Sequence, residues 1–319
     1  MRVWISGCGG MMGSHLCEAL LEEGHDVAAT YYKPTIDASD LKRLPLEEVD
    51  IRDWCSVSDS LNRFKPDAVF HLAAQSYPTV SWQRPIETLE TNVIGTANIF
   101  EAVKRLSSKV RVIVAGSSAE YGVVDPAKVP IGEDQPLLPL HPYGVSKVAT
   151  DLLAYQYWSA FKIDSIRVRI FNCTGPRKTG DAPSDFVRRV VWLERHPEAN
   201  GIRVGNLATK RTIVDVRDLN RGLMLLLQQG QSGEAYNLGG STAYPMSDLL
   251  SRILARSSRK NIEPQVDPKL LRPTDEPIIW GDCTKMKLAT GWQQGISLDQ
   301  TIDDMLAYWR QKPDTALEV

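Results

Sequence analysis

Tyr143 and Lys147 stand four residues apart in the run PYGVSK at residues 142–147. On a helix, residues with this spacing lie on one face and contact each other. An unperturbed tyrosine has a pKa near ~10, which makes it a poor acid or base at neutral pH. A neighbouring ammonium group favours the phenolate and lowers that pKa toward the range that proton transfer requires. The pair therefore predicts a proton-transfer site, although a tyrosine ring packed beside a solvated lysine has the same spacing.

A glycine-rich turn follows the first apolar segment of the chain. Three glycines spaced three residues apart stand between a strand predicted at Val3–Ile5 and a helix predicted at Ser14–Glu23. Glycine lets the backbone turn tightly and approach a diphosphate, and the helix start offers free N–H groups. The turn therefore predicts a dinucleotide site. Its predicted residues are Gly7, Gly10, Met11, Met12 and Gly13.

Composition limits the possible functions. The chain has 319 residues, of which 43% are hydrophobic and 24% charged, and its net charge of −2 has no long run of either sign. This balance gives no support for nucleic-acid or anionic-membrane binding. The five scattered cysteines have no metal-ligand spacing, so neither a metal site nor a disulfide framework is expected. With no apolar membrane span or signal peptide, we expect a reduced, cytoplasmic enzyme.

Short apolar runs alternate with helical segments in the first half of the chain, which predicts a doubly wound parallel sheet of α/β class. Residues 1–171 are expected to bind the dinucleotide, with 208–232 returning to them, and 172–319 to form a smaller α/β substrate domain. The predicted strands are Val3–Ile5, Asp26–Thr30, Ala68–Leu72, Arg111–Ala115, Ser165–Ile170, Thr212–Val216 and Ala235–Leu238. The predicted helices are Ser14–Glu23, Ile86–Arg105, Tyr143–Phe161, Asp185–Arg195 and Pro245–Arg256.

The end of the second predicted strand bears on which dinucleotide binds. An acidic residue there would hold the ribose 2′-hydroxyl of NAD, but residues 28–33 (AATYYK) contain no carboxylate. Thr30 and Lys33 would instead receive a 2′-phosphate, which favours NADP(H) and leaves NAD(H) open. A solvated loop lysine is the alternative interpretation of Lys33.

Two further strand ends are expected to contact the cofactor. Asp50 and Ile51 stand where a third strand would end, near the adenine. Leu72, Ala73 and Ala74 follow the fourth strand, and their small residues would let the backbone lie against the cofactor.

These residues together resemble the extended short-chain dehydrogenase/reductase family. The matching motifs are Gly7-x-x-Gly10-x-x-Gly13, His71-Leu72-Ala73-Ala74, Asn92, Gly116-Ser117-Ser118, Tyr143-x-x-x-Lys147, Phe171-Asn172 and Gly175-Pro176. Runs at 204–207 (VGNL), 215–218 (DVRD), 271–273 (LRP) and 281–285 (GDCTK) resemble the branch that acts on GDP-mannose-derived sugars. The resemblance implies a Rossmann fold and an NAD(P)-dependent enzyme acting on a nucleotide-diphosphate sugar.

The resemblance also implies roles around Tyr143. Lys147 would contact the nicotinamide ribose and lower the pKa of Tyr143, so both residues would belong to the cofactor site. Ser117 or Ser118 would hydrogen-bond the C4 oxygen of the sugar. A hydride would pass between the nicotinamide and sugar C4 while Tyr143 moves the proton, so the protein mainly orients the reactants.

Four residues are candidates for binding the sugar nucleotide. Asn172 and Ser76 would contact the substrate. Arg211 and Arg272 are candidates for its diphosphate, because a fork of N–H donors suits phosphate oxygens. A surface ion pair is the alternative for Arg211, whereas Arg272 lies in a run that matches the family.

The run SSAEYG after the fifth strand distinguishes two reactions. Reduction needs a hydride and one proton, which Tyr143 supplies. Dehydration must also remove the C5 proton and protonate the departing C6 hydroxyl, usually with a glutamate. In dehydratases of this branch the corresponding motif is Ser/Thr-x-Glu-x-Tyr-Gly. When the Tyr-Gly of this motif is aligned with residues 121–122, Ser117 takes the serine position and Ala119 the glutamate position. Glu120 is displaced by one residue, which favours reduction of the C4 keto group of a GDP-4-keto-6-deoxyhexose.

Other functions stay open. A dehydratase with tightly bound NADP and Glu120 as its base is the main alternative, and a nucleotide-sugar 4-epimerase is the next. A dinucleotide-binding protein without catalysis fits less well with intact Tyr143 and Lys147. The family resemblance further implies a homodimer in which the helices predicted at Ile86–Arg105 and Tyr143–Phe161 pair with their copies.

Overall fold

The structure is a computed structural model that describes residues 1–106, 109–199, 201–271 and 276–317. It has the α/β class and doubly wound parallel sheet that the alternation of strands and helices predicts. Within these ranges no helix has both the length and the apolar character that crossing a bilayer requires.

Within the described ranges, seven of the strands form one large parallel sheet, and the others form smaller sheets. The strands are β1 (Arg2–Ser6), β2 (Asp26–Tyr31), β3 (Leu46–Glu48), β4 (Ala68–His71), β5 (Arg111–Ala115), β6 (Asp164–Ile170), β7 (Cys173–Thr174), β8 (Ile202–Val204), β9 (Lys210–Thr212), β10 (Val214–Asp215), β11 (Ala235–Leu238), β12 (Ala243–Pro245), β13 (Pro264–Val266) and β14 (Ile278–Ile279). The large sheet has the order β11-β6-β5-β4-β1-β2-β3, with every neighbouring pair parallel. Smaller sheets pair β7 with β10, β8 with β13, and β9 with β12 and β14.

Helices connect these strands. They are α1 (Met11–Glu22), α2 (Ala38–Leu41), α3 (Trp54–Phe64), α4 (Pro78–Gln83), α5 (Pro85–Leu89), α6 (Gly95–Arg105), α7 (Pro142–Phe161), α8 (Ala182–Arg195), α9 (Val216–Gln229), α10 (Met246–Ala255), α11 (Thr284–Thr290) and α12 (Leu298–Arg310). Sequence periodicity missed α2, α3, α4, α9, α11 and α12, and it placed the start of α1 three residues late. Gly10 caps α1, so the helix begins directly after the glycine turn.

The two faces of the large sheet bury different side chains. Val3 and Ile5 enter one apolar core together with α1 and α9, whereas Trp4 between them enters a second core with α3, α6 and α7. This alternation is the two-residue period of a strand. Because both faces are covered, the central strands are apolar along their length.

The range predicted as a helix at Ile86–Arg105 is helical throughout, but not α-helical along its whole length. A π-helical turn at Glu90–Ile94 separates α5 from α6. Within it, the side chain of Asn92 accepts the backbone N–H of Gln75 at 2.8 Å and donates to its carbonyl at 3.0 Å. The wider turn therefore places an amide side chain where it holds the loop that follows β4.

The helix α7 carries the Tyr143 and Lys147 pair. Pro142 stands at its first position, and the ring of His141 accepts the N–H of Gly144 at 3.0 Å as an N-cap. Tyr143, Lys147 and Asp151 are spaced four apart, and all three are buried. The i, i+4 face that the sequence predicts therefore exists and points inward.

The strand predicted at Thr212–Val216 is interrupted at Ile213 and ends one residue earlier than predicted. It splits into β9 and β10, and Val216 already begins α9. The Asp215 carboxylate accepts the N–H of Arg217 at 2.9 Å, so this aspartate is a helix cap that ends the strand.

The chain returns to the large sheet after β10. Helix α9 packs against α1, and β11 pairs with β6 at the sheet edge. A separate apolar core gathers side chains of α8, α10 and α12. A division of the chain near residue 171, with a returning segment around 208–232, stays a prediction.

Candidate active site

A cleft with a volume of about 520 Å³ opens at the carboxyl ends of β1, β4 and β5. Ligands of open parallel sheets bind at such ends, because the loops that follow the strands converge there. The predicted residues that line it are Gly7, Gly10, Met11, Met12, Gly13, Lys33, Asp50, Ile51, Leu72, Ala73, Ala74, Ser76, Ser117, Ser118, Tyr143, Lys147, Asn172 and Arg211. Thr30 and Glu120 do not line the cleft, and Arg272 lies outside the described residues.

The glycine turn packs too tightly for side chains at two of its positions. Gly7 has a φ of +87°, and a Cβ there would come 2.7 Å from the backbone nitrogen of Ala73. A Cβ at Gly13 would come 2.4 Å from the Gly7 carbonyl oxygen. The turn therefore depends on glycine both for its backbone conformation and for the closeness of α1 to β1.

The N-terminus of α1 suits an anion. Its cap residue Gly10 provides no side-chain hydrogen bond to the first helical N–H groups. Met11 and Met12 begin the helix and line the cleft. Because the first N–H groups of a helix lack intrahelical partners and carry the positive dipole end, the residues present fit a dinucleotide diphosphate.

Thr30 is not positioned to contact a cofactor, so its predicted role in binding a 2′-phosphate is wrong. It is buried within β2, and its hydroxyl donates to the Ile5 carbonyl at 3.1 Å. Its own carbonyl accepts the N–H groups of Gly7 and Cys8. Thr30 therefore stabilises the glycine turn through its backbone carbonyl.

Two cations flank the Tyr32 ring at the end of the cleft that follows β2. The Lys33 ammonium lies 5.2 Å from the ring centre, and the Arg52 guanidinium carbon lies 5.6 Å from it. Arg52 also forms a two-pronged ion pair with Asp50, at 3.0 and 2.6 Å. All four residues line the cleft. Sequence reasoning missed Arg52, although it directly follows the predicted Asp50 and Ile51.

The loop after β4 lies against the glycine turn. The Ser6 hydroxyl accepts the N–H groups of Leu72 and Ala73, each at 3.1 Å. These bonds fix the backbone at the point where Gly7 approaches it. Ser76 lines the cleft further along the same loop.

Tyr143 and Lys147 lie at the end of β5. The Lys147 ammonium donates to the Ala115 carbonyl at 2.7 Å, and burial lowers its pKa to about 8. Burial raises the pKa of Tyr143 to about 12, while the Ser117 side chain acts to lower it through a hydrogen bond. The expectation that Lys147 brings the Tyr143 pKa down toward neutrality is therefore wrong for this arrangement, because desolvation of the phenol dominates.

Ser117 and Ser118 begin a short 3-10 turn that faces the cleft. The Ser117 hydroxyl accepts the N–H of Ala119 at 3.2 Å and interacts with the Tyr143 phenol. Ser118 and Ala119 also line the cleft. Of the two serines, Ser117 is thus the one joined to Tyr143.

Glu120 points away from the cleft. Its side chain is fully buried, one oxygen accepts the N–H of Ser117 at 2.6 Å, and the other lies 3.4 Å from Arg169. Burial, followed by the charge of Asp151, raises the pKa of Glu120 to about 8. Ala119 occupies the cleft wall instead, which agrees with the one-residue displacement seen in the sequence.

The predicted substrate residues differ in their surroundings. Asn172 lines the cleft, and its buried amide nitrogen has no hydrogen-bond partner among the described residues. Arg211 donates to the Glu276 carbonyl at 2.8 Å and lies 3.7 Å from the Glu276 carboxylate. An ion pair therefore exists at Arg211, but in the cleft wall and not on the open surface.

A contact between Tyr77 and Thr179 was not foreseen from sequence. Both line the cleft, and their hydroxyls lie 3.1 Å apart although 102 residues separate them. The glycine at position 180, next to Thr179, was a local signal in the sequence, and in the structure its φ is +73°. The described residues contain no cluster of three or more side chains suited to a metal ion.

A family model described as GDP-mannose 4,6 dehydratase matches residues 4–305. The chain belongs to this family. The resemblance drawn from its motifs is confirmed, and the chain is an enzyme of this group.

Relatives cover nearly the whole chain. GDP-6-deoxy-D-mannose reductase from Pseudomonas aeruginosa is 28% identical over 98% of this chain and 98% of its own. The structure of RMD from Pseudomonas aeruginosa, complexed with NADPH, is 26% identical, covers 97% of this chain and 98% of its own, and superposes with a TM-score of 0.82. UDP-glucose 4-epimerase from Thermus thermophilus, complexed with NAD, is 26% identical over 98% and 99%, with a TM-score of 0.86.

Proposed function

We propose that this enzyme reduces the C4 keto group of a GDP-4-keto-6-deoxyhexose with NAD(P)H, using Tyr143 as the proton donor. The observation that carries the proposal is the cleft wall beside Ser117 and Tyr143. Ala119 lines this wall, while Glu120 is fully buried and does not line the cleft. The cleft wall therefore carries an alanine at the position where a dehydratase would place a glutamate.

The residues suit proton donation to a ketone. The dinucleotide supplies the hydride when it is bound in the cleft. The raised pKa of Tyr143, about 12, keeps the phenol protonated at neutral pH. The oxygen of a reduced ketone is more basic than a phenolate, so it accepts this proton readily. Ser117 orients the phenol, and Lys147, with a pKa near 8, is a nearby proton source.

Lys33 and Arg52 support NADPH as the preferred cofactor, with NADH as the alternative. Both cations line the cleft beside Tyr32 at the carboxyl end of β2, where a Rossmann fold places the adenosine ribose. A 2′-phosphate there would gain two positive neighbours. The relative solved with NADPH is consistent with this choice.

Asn172 and Arg211 support a nucleotide-diphosphate sugar as the substrate. The amide nitrogen of Asn172, which has no hydrogen-bond partner among the described residues, provides a donor in the cleft wall. Arg211 provides a guanidinium that is held by a hydrogen bond to the Glu276 carbonyl. Ser76 and Arg272 complete the proposed substrate set from the sequence.

Dehydration of GDP-mannose is the second candidate, because the family model carries that description. It would require an acid-base group other than the buried Glu120 to reach the sugar. A 4-epimerase is the third candidate, supported by the likeness to UDP-glucose 4-epimerase.

Two incubations separate the candidates. Purified enzyme is given GDP-mannose alone, and separately the GDP-4-keto-6-deoxy sugar with NADPH. We expect NADPH oxidation only with the keto sugar and formation of a 6-deoxyhexose. A 4-keto product from GDP-mannose without net cofactor use would exclude the reductase proposal, and C4 inversion without net redox change would support an epimerase.

A homodimer is also proposed. Apolar side chains on α5, the π turn and α7 are exposed in the single chain. They include Ile86, Ile94, Val145, Leu152 and Tyr155. An apolar surface of this kind marks protein contacts. Sedimentation at micromolar concentration checks it, and a monomer would contradict it.

A cytoplasmic location is proposed from the cysteines. All five are unpaired, and three of them are buried. Free thiols are usual in a reducing compartment. Localisation of a tagged copy by fractionation tests the proposal.

A further inference from the structure

Glu120 is fully buried beneath the turn that carries Ser117. Its Oε1 atom accepts the N–H of Ser117 at 2.6 Å. Gly116 leaves the space for this contact, because a Cβ there would come 2.6 Å from the same oxygen. The carboxylate therefore supports the serine turn from the side opposite the cleft.

Arg169 on β6 connects Glu120 to the helix that carries the proton-transfer pair. Its Nε lies 3.4 Å from Oε2 of Glu120, and its Nη2 donates to Asp151 Oδ1 at 2.9 Å. Asp151 follows Lys147 by one turn and Tyr143 by two turns on α7. One guanidinium thus joins the serine turn to the catalytic face of α7.

The same arginine is fixed from a third direction. Its Nη1 donates to the Tyr121 hydroxyl at 3.0 Å and to the Glu133 carbonyl at 2.8 Å. The Tyr121 hydroxyl in turn donates to Asn237 Oδ1 at 2.7 Å. Glu120 Oε2 and Arg169 Nε form no hydrogen bond among the described residues, so a charge contact alone joins these two groups. Removing one partner of a buried ion pair is destabilising, so the network is sensitive to loss of one member.

We propose that Glu120 is a positioning residue: anchored by Arg169, it holds the Ser117 turn against the face of α7 that carries Tyr143 and Lys147. The inference rests on the proposed function, because it assigns no acid-base step at the sugar to Glu120. It also gives a reason for a buried glutamate at a displaced position. The carboxylate serves the catalytic serine through its backbone.

Electrostatics agree with this geometry. Burial lowers the pKa of Lys147, and the charge of Glu120 opposes that shift. The same charge raises the pKa of Tyr143, in addition to the larger effect of burial. The charged groups that face Glu120 are Asp151, Arg169 and Lys147. Once Glu120 is ionised, above its own raised pKa of about 8, its charge favours the protonated forms of Lys147 and Tyr143.

Two variants of Glu120 separate the role of its shape from that of its charge. E120Q keeps an oxygen that accepts the Ser117 N–H, whereas E120A removes it. We expect E120A to lower kcat about tenfold or more with little change in KM for NADPH. We expect E120Q to retain much of kcat, with the alkaline limb of its pH–rate profile shifted to lower pH. The shift has this sign because loss of a negative charge lowers the pKa of Lys147 and Tyr143.

Asp218 offers a matched control. It is a buried carboxylate that accepts the N–H groups of Gly295 and Ile296 at 2.9 and 2.7 Å and pairs with Arg221. It does not line the cleft. D218N should lower the unfolding temperature while leaving the pH–rate profile unchanged. The comparison separates the general effect of losing a buried charge from the specific effect of losing the charge of Glu120.

Each outcome bears on the proposal. If E120Q is as inactive as E120A while both remain folded and bind NADPH, Glu120 acts chemically and the proposal is overturned. If E120A does not fold, the E120Q profile decides, and an unshifted alkaline limb overturns the proposal. If the wild-type enzyme instead dehydrates GDP-mannose, the proposed function fails separately. In that case the dehydration is run in deuterated water with the E120Q variant. Deuterium incorporation at sugar C5 would support a positioning role for Glu120, and loss of incorporation would overturn the proposal.

Discussion

The hydroxyl of Tyr77 lies 3.1 Å from that of Thr179, and this contact joins the loop after β4 to the loop after β7. Gly180 makes the contact possible. Its φ is +73°, and a Cβ there would come 2.3 Å from the Tyr77 ring. Since both hydroxyls line the cleft, the pair forms a bridge between the cofactor side and the side predicted to bind substrate.

Removing this bridge should weaken substrate binding more than chemistry. One hydrogen bond contributes about 0.5–1.5 kcal/mol, so Y77F or T179V should raise KM for the sugar nucleotide by about two- to tenfold. We expect kcat to change little. Steady-state kinetics measure both constants. Y308F is the control, because Tyr308 donates to Asp40 at 2.6 Å away from the cleft. An unchanged KM in both cross-cleft variants would show that the bridge has no role in binding.

Tyr143→Phe should abolish most turnover while preserving the fold. General acid catalysis contributes about 10²- to 10⁴-fold, so kcat should fall by at least about 100-fold. The affinity for NADPH, measured by fluorescence titration, should remain. Tyr157→Phe is a matched control, since Tyr157 is also a buried tyrosine of α7 but donates to Glu101 at 2.8 Å. Retention of turnover in Y143F would remove Tyr143 as the proton donor.

Neutralising Lys33 or Arg52 should change cofactor preference. A 2′-phosphate is present only in NADPH, so K33A and R52A should raise KM for NADPH by about tenfold and leave KM for NADH nearly unchanged. Assays with each dinucleotide at saturating keto sugar provide the comparison. K65A is the control, because Lys65 also has a positive φ but lies outside the cleft wall. Equal losses for both dinucleotides would argue against recognition of a 2′-phosphate here.

His71 should make the native state sensitive to acid. It is buried between the hydroxyls of Ser6 and Thr96, each 2.9 Å away, and burial lowers its pKa to about 3. Because the folded pKa lies below the ordinary value of 6.5, stability is complete above pH 6.5 and is lost as pH falls toward 3. The loss should reach about 2 kcal/mol at pH 5.

Urea unfolding at pH 7 and pH 5 measures this loss. His71→Asn should have a smaller difference in unfolding free energy between the two pH values than the wild type. His25→Gln, which changes a surface-facing contact with the N-terminus, should retain the wild-type difference. An identical pH dependence in H71N and the wild type would contradict the assignment.

Local patterns in the sequence were sufficient for much of the site. The spacing of Gly7, Gly10 and Gly13 identifies a strand–turn–helix unit, because each glycine answers a local steric requirement. The four-residue spacing of Tyr143 and Lys147 identifies a shared helix face for the same reason. The alternation of apolar runs and helical segments also predicts the parallel sheet, since only a few layered arrangements bury both kinds of apolar face.

Tertiary structure decided what those residues do to one another. The side chain of Thr30 points to Ile5, which no strand pattern could reveal without the register of β1 and β2. The Tyr143 pKa rises because surrounding side chains exclude water, and this exclusion depends on the complete fold. Glu120 meets Arg169 only because β6 lies next to β5 in the sheet. Spacing along a helix or turn is set locally, whereas desolvation and charge pairing depend on which distant segments the fold brings together.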